Sequence, residues 1–477
     1  MSFTSSYPGS SRGGYARRRG RDGLARPFAQ GREQVKPDIE KHTLGHLLKT
    51  FRSADLNAER DDLAHGTTIS DCQYIASYNW SNEKTRTIIV PGKPPQWTPL
   101  HISQRLEEDS GQYFRDPNAA KYPDHPMAPV VHAILDIDPD FYTTRVDLFA
   151  CGSTLGNLLR FTRGMDKAFR FNIEMVGNTV FFVRKENDPK ELIQNVRGFG
   201  HTFPEAYTTW ESDVKGSDTH QRIVQYEFGG LKCLVRFESD GYIRDASMSR
   251  DSSSDSTAGD EDDLLGALQS ATITRPTDRS SRKSDTLKIK HGGSVVPQHT
   301  IFDLKTRSGK YKKDIDMNDI YPQLWIKQIP NFIVAYHDGA GLFQDIRVQD
   351  VKKDVQRWEK DNKDGIRRLA VLLKNILDIA KNDERGLLEV YCPGADCLEI
   401  RSQYGEGAHA LPTELSDKWA ENELDPDSTH AGASDWDDHA SGNVYDSDSG
   451  FGYDFDKELD YTACSVEDCG YCGRCTY

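Results

Sequence analysis

The chain of 477 residues has 36 % hydrophobic side chains, a net charge of −15 and nine cysteines, with a mean hydropathy of −0.69. Its folded core is therefore expected to be shorter than the chain. No apolar run reaches the roughly 18 residues that span a bilayer as a helix, and the opening Met1-Ser2-Phe3-Thr4 lacks a secretory apolar segment, which excludes a membrane role and sets an intracellular expectation, in nucleus, cytoplasm or both. The negative balance also excludes phosphate binding by overall attraction, so any contact with nucleic acid must come from local groups.

Residues 1–40 read as a disordered basic arm. Arg12, Arg17, Arg18, Arg19, Arg21, Arg26 and Arg32 stand among glycines, with Asp22 the one acid between them. Arms of this composition bind RNA through charge and arginine stacking, with Arg17, Arg18, Arg19 and Arg21 the candidate contacts; Arg17-Arg18-Arg19 also fits a nuclear import signal. A solvated arm with no dedicated partner is the competing reading.

Residues 41–405 carry the apolar periodicity of one α/β domain. Thr87-Ile88-Ile89-Val90 is expected as a strand closed by Pro91-Gly92-Lys93-Pro94-Pro95, and residues 146–150 as a strand running into Cys151-Gly152-Ser153 and a helix through Leu155, Leu158 and Leu159. Two hairpins follow, over residues 169–185 with Gly177-Asn178 as the turn and over 222–240 with Gly229-Gly230 as the turn. Residues 247–284, rich in Ser, Asp and Thr, read as a disordered insertion that costs the flanking strands little closure entropy. A short helix is expected over 320–328 and a buried strand over 332–336. An amphipathic helix over 351–382 is interrupted at Gly365, and a closing hairpin pairs 387–391 with 397–401. From residue 406 the chain is acidic and Gly/Ser-rich and reads as a disordered tail.

The chemistry concentrates in Phe237-Glu238-Ser239-Asp240 and Phe302-Asp303-Leu304-Lys305. On a strand, alternation puts Glu238 and Asp240 on one side about 7 Å apart, and Asp303 with Lys305 likewise, while the apolar residues between them face the core. Paired carboxylates hold hard divalent cations such as Mg2+ or Mn2+, which neutralise a phosphodiester and activate water, and a neighbouring lysine can position that water. An Asp-x-Lys on a strand is more often a solvated face, so the second carboxylate pair carries the functional reading.

Several segments, in order, resemble the DXO-type decapping nucleases of the PD-(D/E)XK superfamily, which act on incomplete or non-canonical caps at RNA 5′ ends. The resemblance spans residues 140–350. Its clearest parts are Leu234-Val235-Arg236-Phe237-Glu238-Ser239-Asp240 and Thr300-Ile301-Phe302-Asp303-Leu304-Lys305-Thr306, supported by Tyr321-Pro322-Gln323-Leu324-Trp325. It implies a nuclease-like α/β core, a mixed sheet with flanking helices. Glu238, Asp240, Asp303 and the Leu304 carbonyl are then metal ligands; Lys305 orients water and Gln323 contacts the scissile phosphate or that lysine. Implied partners are RNA with a modified or triphosphorylated 5′ end and a 5′-to-3′ exoribonuclease.

Two departures from that pattern stand out. Where the family has Trp-Arg-Gly, this chain has Ala150-Cys151-Gly152. In the family's Gly-Tyr-x-Phe-Glu segment, proline occupies the glutamate position of Gly200-His201-Thr202-Phe203-Pro204-Glu205, leaving Glu205 one residue late as a metal ligand. A catalytically impaired member that binds RNA or supports a nuclease is therefore the alternative function.

Cys464, Cys469, Cys472 and Cys475 are a candidate Zn2+ site, with an iron-sulfur cluster, a redox-active tail or a recognised peptide as alternatives. Cys72, Cys151 and Cys233 read as buried small hydrophobes, and His201 and His337 are assigned no catalytic role.

Overall fold

The computed structural model describes residues 36–57, 67–193, 196–245, 287–309, 314–394 and 396–421. The arginines of the basic arm, the whole Ser/Asp-rich insertion and the four C-terminal cysteines lie outside them.

In chain order the elements are β1 (Leu47–Phe51), β2 (Ser70–Ser81), β3 (Thr87–Gly92), β4 (Gln96–Trp97), α1 (Pro117–Lys121) and α2 (Ala128–Ile137). Then come β5 (Leu148–Cys151), α3 (Gly152–Thr162), β6 (Phe169–Val176), β7 (Thr179–Arg184), α4 (Thr202–Tyr207) and β8 (Thr208–Thr209). The second half holds β9 (Ser217–Phe228), β10 (Leu231–Glu238), β11 (Gly241–Tyr242), β12 (Lys288–Gly293), β13 (Ile301–Ser308), α5 (Tyr321–Lys327) and β14 (Asn331–His337). It closes with β15 (Phe343–Asp350), α6 (Lys352–Asp361), α7 (Lys363–Asn382), β16 (Leu387–Gly394), β17 (Cys397–Ser402) and α8 (Thr413–Glu421).

Among the described residues, eleven strands form one sheet in the order β1-β17-β16-β6-β7-β5-β10-β9-β2-β3-β12, and six form another in the order β15-β14-β13-β11-β4-β8. Both sheets are mixed. β5 runs parallel to β10 and β7, and β13 parallel to β14, while the hairpin pairs are antiparallel. The α/β class and mixed sheets with flanking helices are as expected from the sequence.

Strand alternation sorts the core. Ala150 joins Leu155 and Leu158 of α3 and Leu369 and Leu373 of α7 on one face of the large sheet. Its neighbour Phe149 joins Val131 and Ile134 of α2 on the other. The β9–β10 hairpin turns at Gly229 and Gly230, whose φ values of 62° and 77° match the two left-handed positions of a turn that follows strand twist.

Three elements differ from the sequence expectation. The long amphipathic stretch divides into α6 and α7 at Asn362, which closes one helix and opens the next; Gly365 lies buried inside α7. Residues 202–207, for which the sequence set no element, coil into α4, because Asp109 accepts from the amides of His201 at 3.0 Å and Thr202 at 2.9 Å and so caps the turn. The fold also continues past residue 405. Helix α8 inserts Trp419, 1 % exposed, against Phe141, Phe149 and Phe181, while its indole donates to Thr179 Oγ1 at 3.1 Å. One large aromatic side chain outweighs the acidic composition around it.

Trp419→Ala is expected to cost about 3–5 kcal/mol in urea unfolding. A loss under about 1 kcal/mol would mean that α8 is not part of the core.

Candidate active site

The chain passes from the large sheet to the small one within two residues. β10 ends at Glu238, Ser239 and Asp240 make the crossing, and β11 begins at Gly241 in the second sheet. Asp240 therefore does not share a strand face with Glu238 as its spacing suggested. The crossing depends on Gly241: a Cβ there would lie 2.5 Å from a Phe302 ring carbon and 2.7 Å from the Pro95 carbonyl oxygen.

Gly241 pairs with Phe302 in antiparallel register, which carries Asp240 alongside the start of β13. Its Oδ2 accepts from the Leu304 backbone N–H at 2.6 Å. The two acidic motifs, separated by more than sixty residues in sequence, thus meet through a hydrogen bond.

On β13, Phe302 and Leu304 pack into an apolar cluster with Phe203 and Tyr207 of α4. Asp303 and Lys305 take the opposite face, and both are nearly fully buried. Lys305 Nζ donates to Asp303 Oδ1 at 2.8 Å. Lys327, at the last position of α5, donates its Nζ to Asp303 Oδ2 at 3.0 Å. One buried carboxylate lies between two ammonium groups.

Gln323 is buried one helical turn before Lys327 on α5, and its amide donates to the Asp319 carbonyl at 3.3 Å. Residues four apart on a helix share a face, so spacing from Gln323 is the signal that singles out Lys327, which sequence reasoning missed. The α5 helix stops where Gln328 adopts a left-handed conformation, φ 52° and ψ 43°.

Glu238 lies opposite Gln221 of β9, whose side-chain amide donates to Glu238 Oε2 at 3.1 Å. Gln221 also accepts from Arg236 NH1 at 3.4 Å. Neither Gln221 nor Arg236 was singled out from sequence, because a strand partner is a property of register. Cys151 is buried at the end of β5, its Sγ 3.0 Å from the hydroxyls of Ser153 and Thr154. Arg236 is its register neighbour on β10. Glu205 lies exposed on α4. Cys72 is half-buried and Cys233 buried. His337 is buried, with a ring nitrogen accepting from the Gly339 amide at 3.1 Å. His201 stacks on Tyr113 at 3.4 Å, and burial lowers its pKa to about 4.

The donors suit a hard divalent ion in kind, since Glu238, Asp240 and Asp303 offer carboxylate oxygens. Among the described residues, no three His, Cys, Asp or Glu side chains gather as a metal cluster. As placed, Glu238 is held by Gln221, Asp240 by the Leu304 amide and Asp303 by two lysines. Holding Mg2+ or Mn2+ takes an exchange of side-chain partners.

A family model described as a domain of unknown function (DUF8563) matches residues 57–416. The chain belongs to that family. No curated protein sequence matches the chain. Among solved structures, this DUF8563 domain is similar to S. pombe Rai1, with 13 % identity, a TM-score of 0.47 and 74 % of this chain and 98 % of that chain covered. It is similar also to Candida albicans Rai1 in complex with pU5 and Mn2+, with 10 % identity, a TM-score of 0.46 and coverage of 79 % and 100 %. A third is K. lactis Dxo1 in complex with manganese, with 9 % identity, a TM-score of 0.40 and coverage of 76 % and 99 %.

Asp303→Asn leaves two buried ammoniums without the carboxylate they share, and is expected to lower the unfolding free energy by about 3–5 kcal/mol. Urea denaturation measures this; a change within about 0.5 kcal/mol would show that the ion triplet contributes nothing to the fold.

Proposed function

We propose that this protein is a metal-dependent hydrolase acting on RNA 5′ ends that carry a triphosphate or a non-canonical cap. The observation that carries this reading is the hydrogen bond from the Leu304 amide to Asp240, which sets the second acidic motif beside the buried Asp303–Lys305 pair. A strand with a solvated Asp-x-Lys has no reason to bury both charges or to hold a second acid against its backbone.

Glu238, Asp240 and Asp303, with the Leu304 carbonyl, are the residues that would hold Mg2+ or Mn2+. When bound, the ion supplies Lewis acidity to the phosphate oxygens. The residues themselves do the rest. Lys305, fixed two positions along β13 from Asp303, holds an ammonium where it can orient water for attack on phosphorus. Gln323 brings a neutral amide donor to the same face and stabilises a phosphate oxygen without adding charge. Arg236, beside Cys151, offers a bidentate guanidinium for the substrate's terminal phosphate.

The product of such a reaction is RNA with a 5′-monophosphate, the form a 5′-to-3′ exoribonuclease consumes. That class of enzyme is the protein partner this reading names, with the nucleus or cytoplasm as its setting. The arginine arm adds sequence-independent RNA contacts, and the four C-terminal cysteines stand as proposed Zn2+ ligands.

The test uses full-length protein with Mn2+ and 5′-triphosphorylated or capped RNA. Product release from the 5′ end is expected, and Asp240→Ala or Lys305→Met should slow it by roughly 100-fold or more. RNA held tightly but left intact in both Mg2+ and Mn2+ would replace the hydrolase with the binding-only alternative, and full activity surviving both substitutions would remove the site from either.

A further inference from the structure

Among the described residues, β1 and β12 are the outer strands of the large sheet, and β15 and β8 those of the small one. An outer strand offers a row of backbone N–H and C=O groups to another chain, and folds block it with lysine, proline or a short run. Three of the four are blocked in this way. β1 presents Lys49, and β12 presents Lys288 and Lys290, all exposed, while β8 is two residues long. A two-fold axis through the middle of β1 would also set Lys49 against Lys49 of a second copy.

β15 carries no such block. It is eight residues long, holds neither proline nor lysine, and pairs with β14 with a register shift only at its first residue. Alternation puts Asp345 and Arg347 on one face and Gln344, Ile346 and Val348 on the other. The Arg347 guanidinium is held in place, 4.8 Å from the Tyr336 ring and paired with Asp345 at 2.7 Å and Asp314 at 2.9 Å. Ile346 packs against the cluster of Phe302 and Leu304, and Val348 beside it is 50 % exposed.

A two-fold axis at Ile346 makes this edge its own complement. In the antiparallel pair it generates, Asp345 stands opposite Arg347 of the second copy, Arg347 opposite its Asp345, and Ile346 meets Ile346 with Val348 on the diagonal. Moving the axis to Asp345 or to Arg347 sets like charges opposite each other. The charges therefore select one register.

We propose that β15 is a docking edge for a second copy of this chain: two copies pair antiparallel through it about Ile346 and join their small sheets into one continuous sheet. The pattern fits a second copy because the two-fold operation maps each charge onto its opposite. Opposed Asp–Arg pairs and the central Ile–Ile contact supply the cross-strand interactions, and the outer N–H and C=O groups of β15 gain backbone partners. The inference stands apart from the hydrolase reading, since β14 lies between β15 and the strand that carries Asp303 and Lys305.

Sedimentation velocity of the full-length protein over a concentration series is expected to show a monomer–dimer equilibrium. Asp345→Arg and Arg347→Asp each oppose like charges in that register and should weaken the dimer about tenfold or more. An equimolar mixture of the two variants restores opposite charges across the edge, so a mixed dimer is expected at about wild-type strength. Hydrogen exchange gives a readout that needs no variant: β15 amides should exchange more slowly at high protein concentration than at low, with those of β1 and β12 unchanged. Wild type that stays monomeric throughout the series overturns the inference. So does a dimer whose β15 amides gain no protection, or one that neither substitution weakens. Variants that keep the wild-type circular dichroism yet stay monomeric when mixed overturn it as well.

Discussion

The Asp303 carboxylate, buried and shared by the ammoniums of Lys305 and Lys327, is the constraint around which this half of the molecule is arranged. An ionised carboxylate taken out of water is tolerated only when its partners are close and well aimed. The fold meets that demand by bringing a strand and a helix to the same point: β13 carries one cation and α5 the other. Everything that fixes α5, from its left-handed stop at Gln328 to the Gln298 clamp on its last carbonyls, also fixes the second cation.

The junction of the two sheets supplies the rest. A chain that ends one strand at Glu238 and starts another at Gly241 has only Ser239 and Asp240 in which to change direction. The residue that turns this corner is the one whose carboxylate reaches the Leu304 amide. The close approach of Gly241 to Phe302 and Pro95 accompanies its pairing with Phe302, which brings Asp240 to the Leu304 amide. The aromatic packing behind β13, where Trp97 lies against Tyr207 and Phe302, keeps the opposite face of that strand apolar. The charged side chains of Asp303 and Lys305 take the other face.

Local pattern and long-range partnership were legible in the sequence to different degrees. Period-two alternation correctly separated Asp303 and Lys305 from Phe302 and Leu304, and the Gly-Asn and Gly-Gly turns located both hairpins, because these are properties of a few consecutive residues. Asp240 was assigned to the strand of Glu238 because nothing in Glu-Ser-Asp announces that a strand ends between its acids. The helix that carries Glu205 depends on Asp109, a cap more than ninety residues away, so its own segment does not announce it. Lys327 carries no mark beyond its spacing from Gln323. Its side chain bonds Asp303, a residue of a different element, and a single sequence gives no measure of that contact. Trp419 was hidden by its neighbours, since composition averages over a window and a helix can be held by one side chain.

Cys151 and Arg236 are partners in the parallel β5–β10 pair, and residues in register in such a pair present their side chains on the same face about 4.8 Å apart. Gln221 links Arg236 to Glu238, which ties that guanidinium to an acidic residue of the same cluster. The positive charge at this end of the sheet is therefore held by the same strand that carries the first acid. A change at Arg236 should be felt at Glu238 through the shared glutamine, whereas a side chain at position 151 acts from the neighbouring strand, next to the hydroxyls of Ser153 and Thr154. Arg236 and Glu238 therefore depend together on the register of the single β9–β10 hairpin.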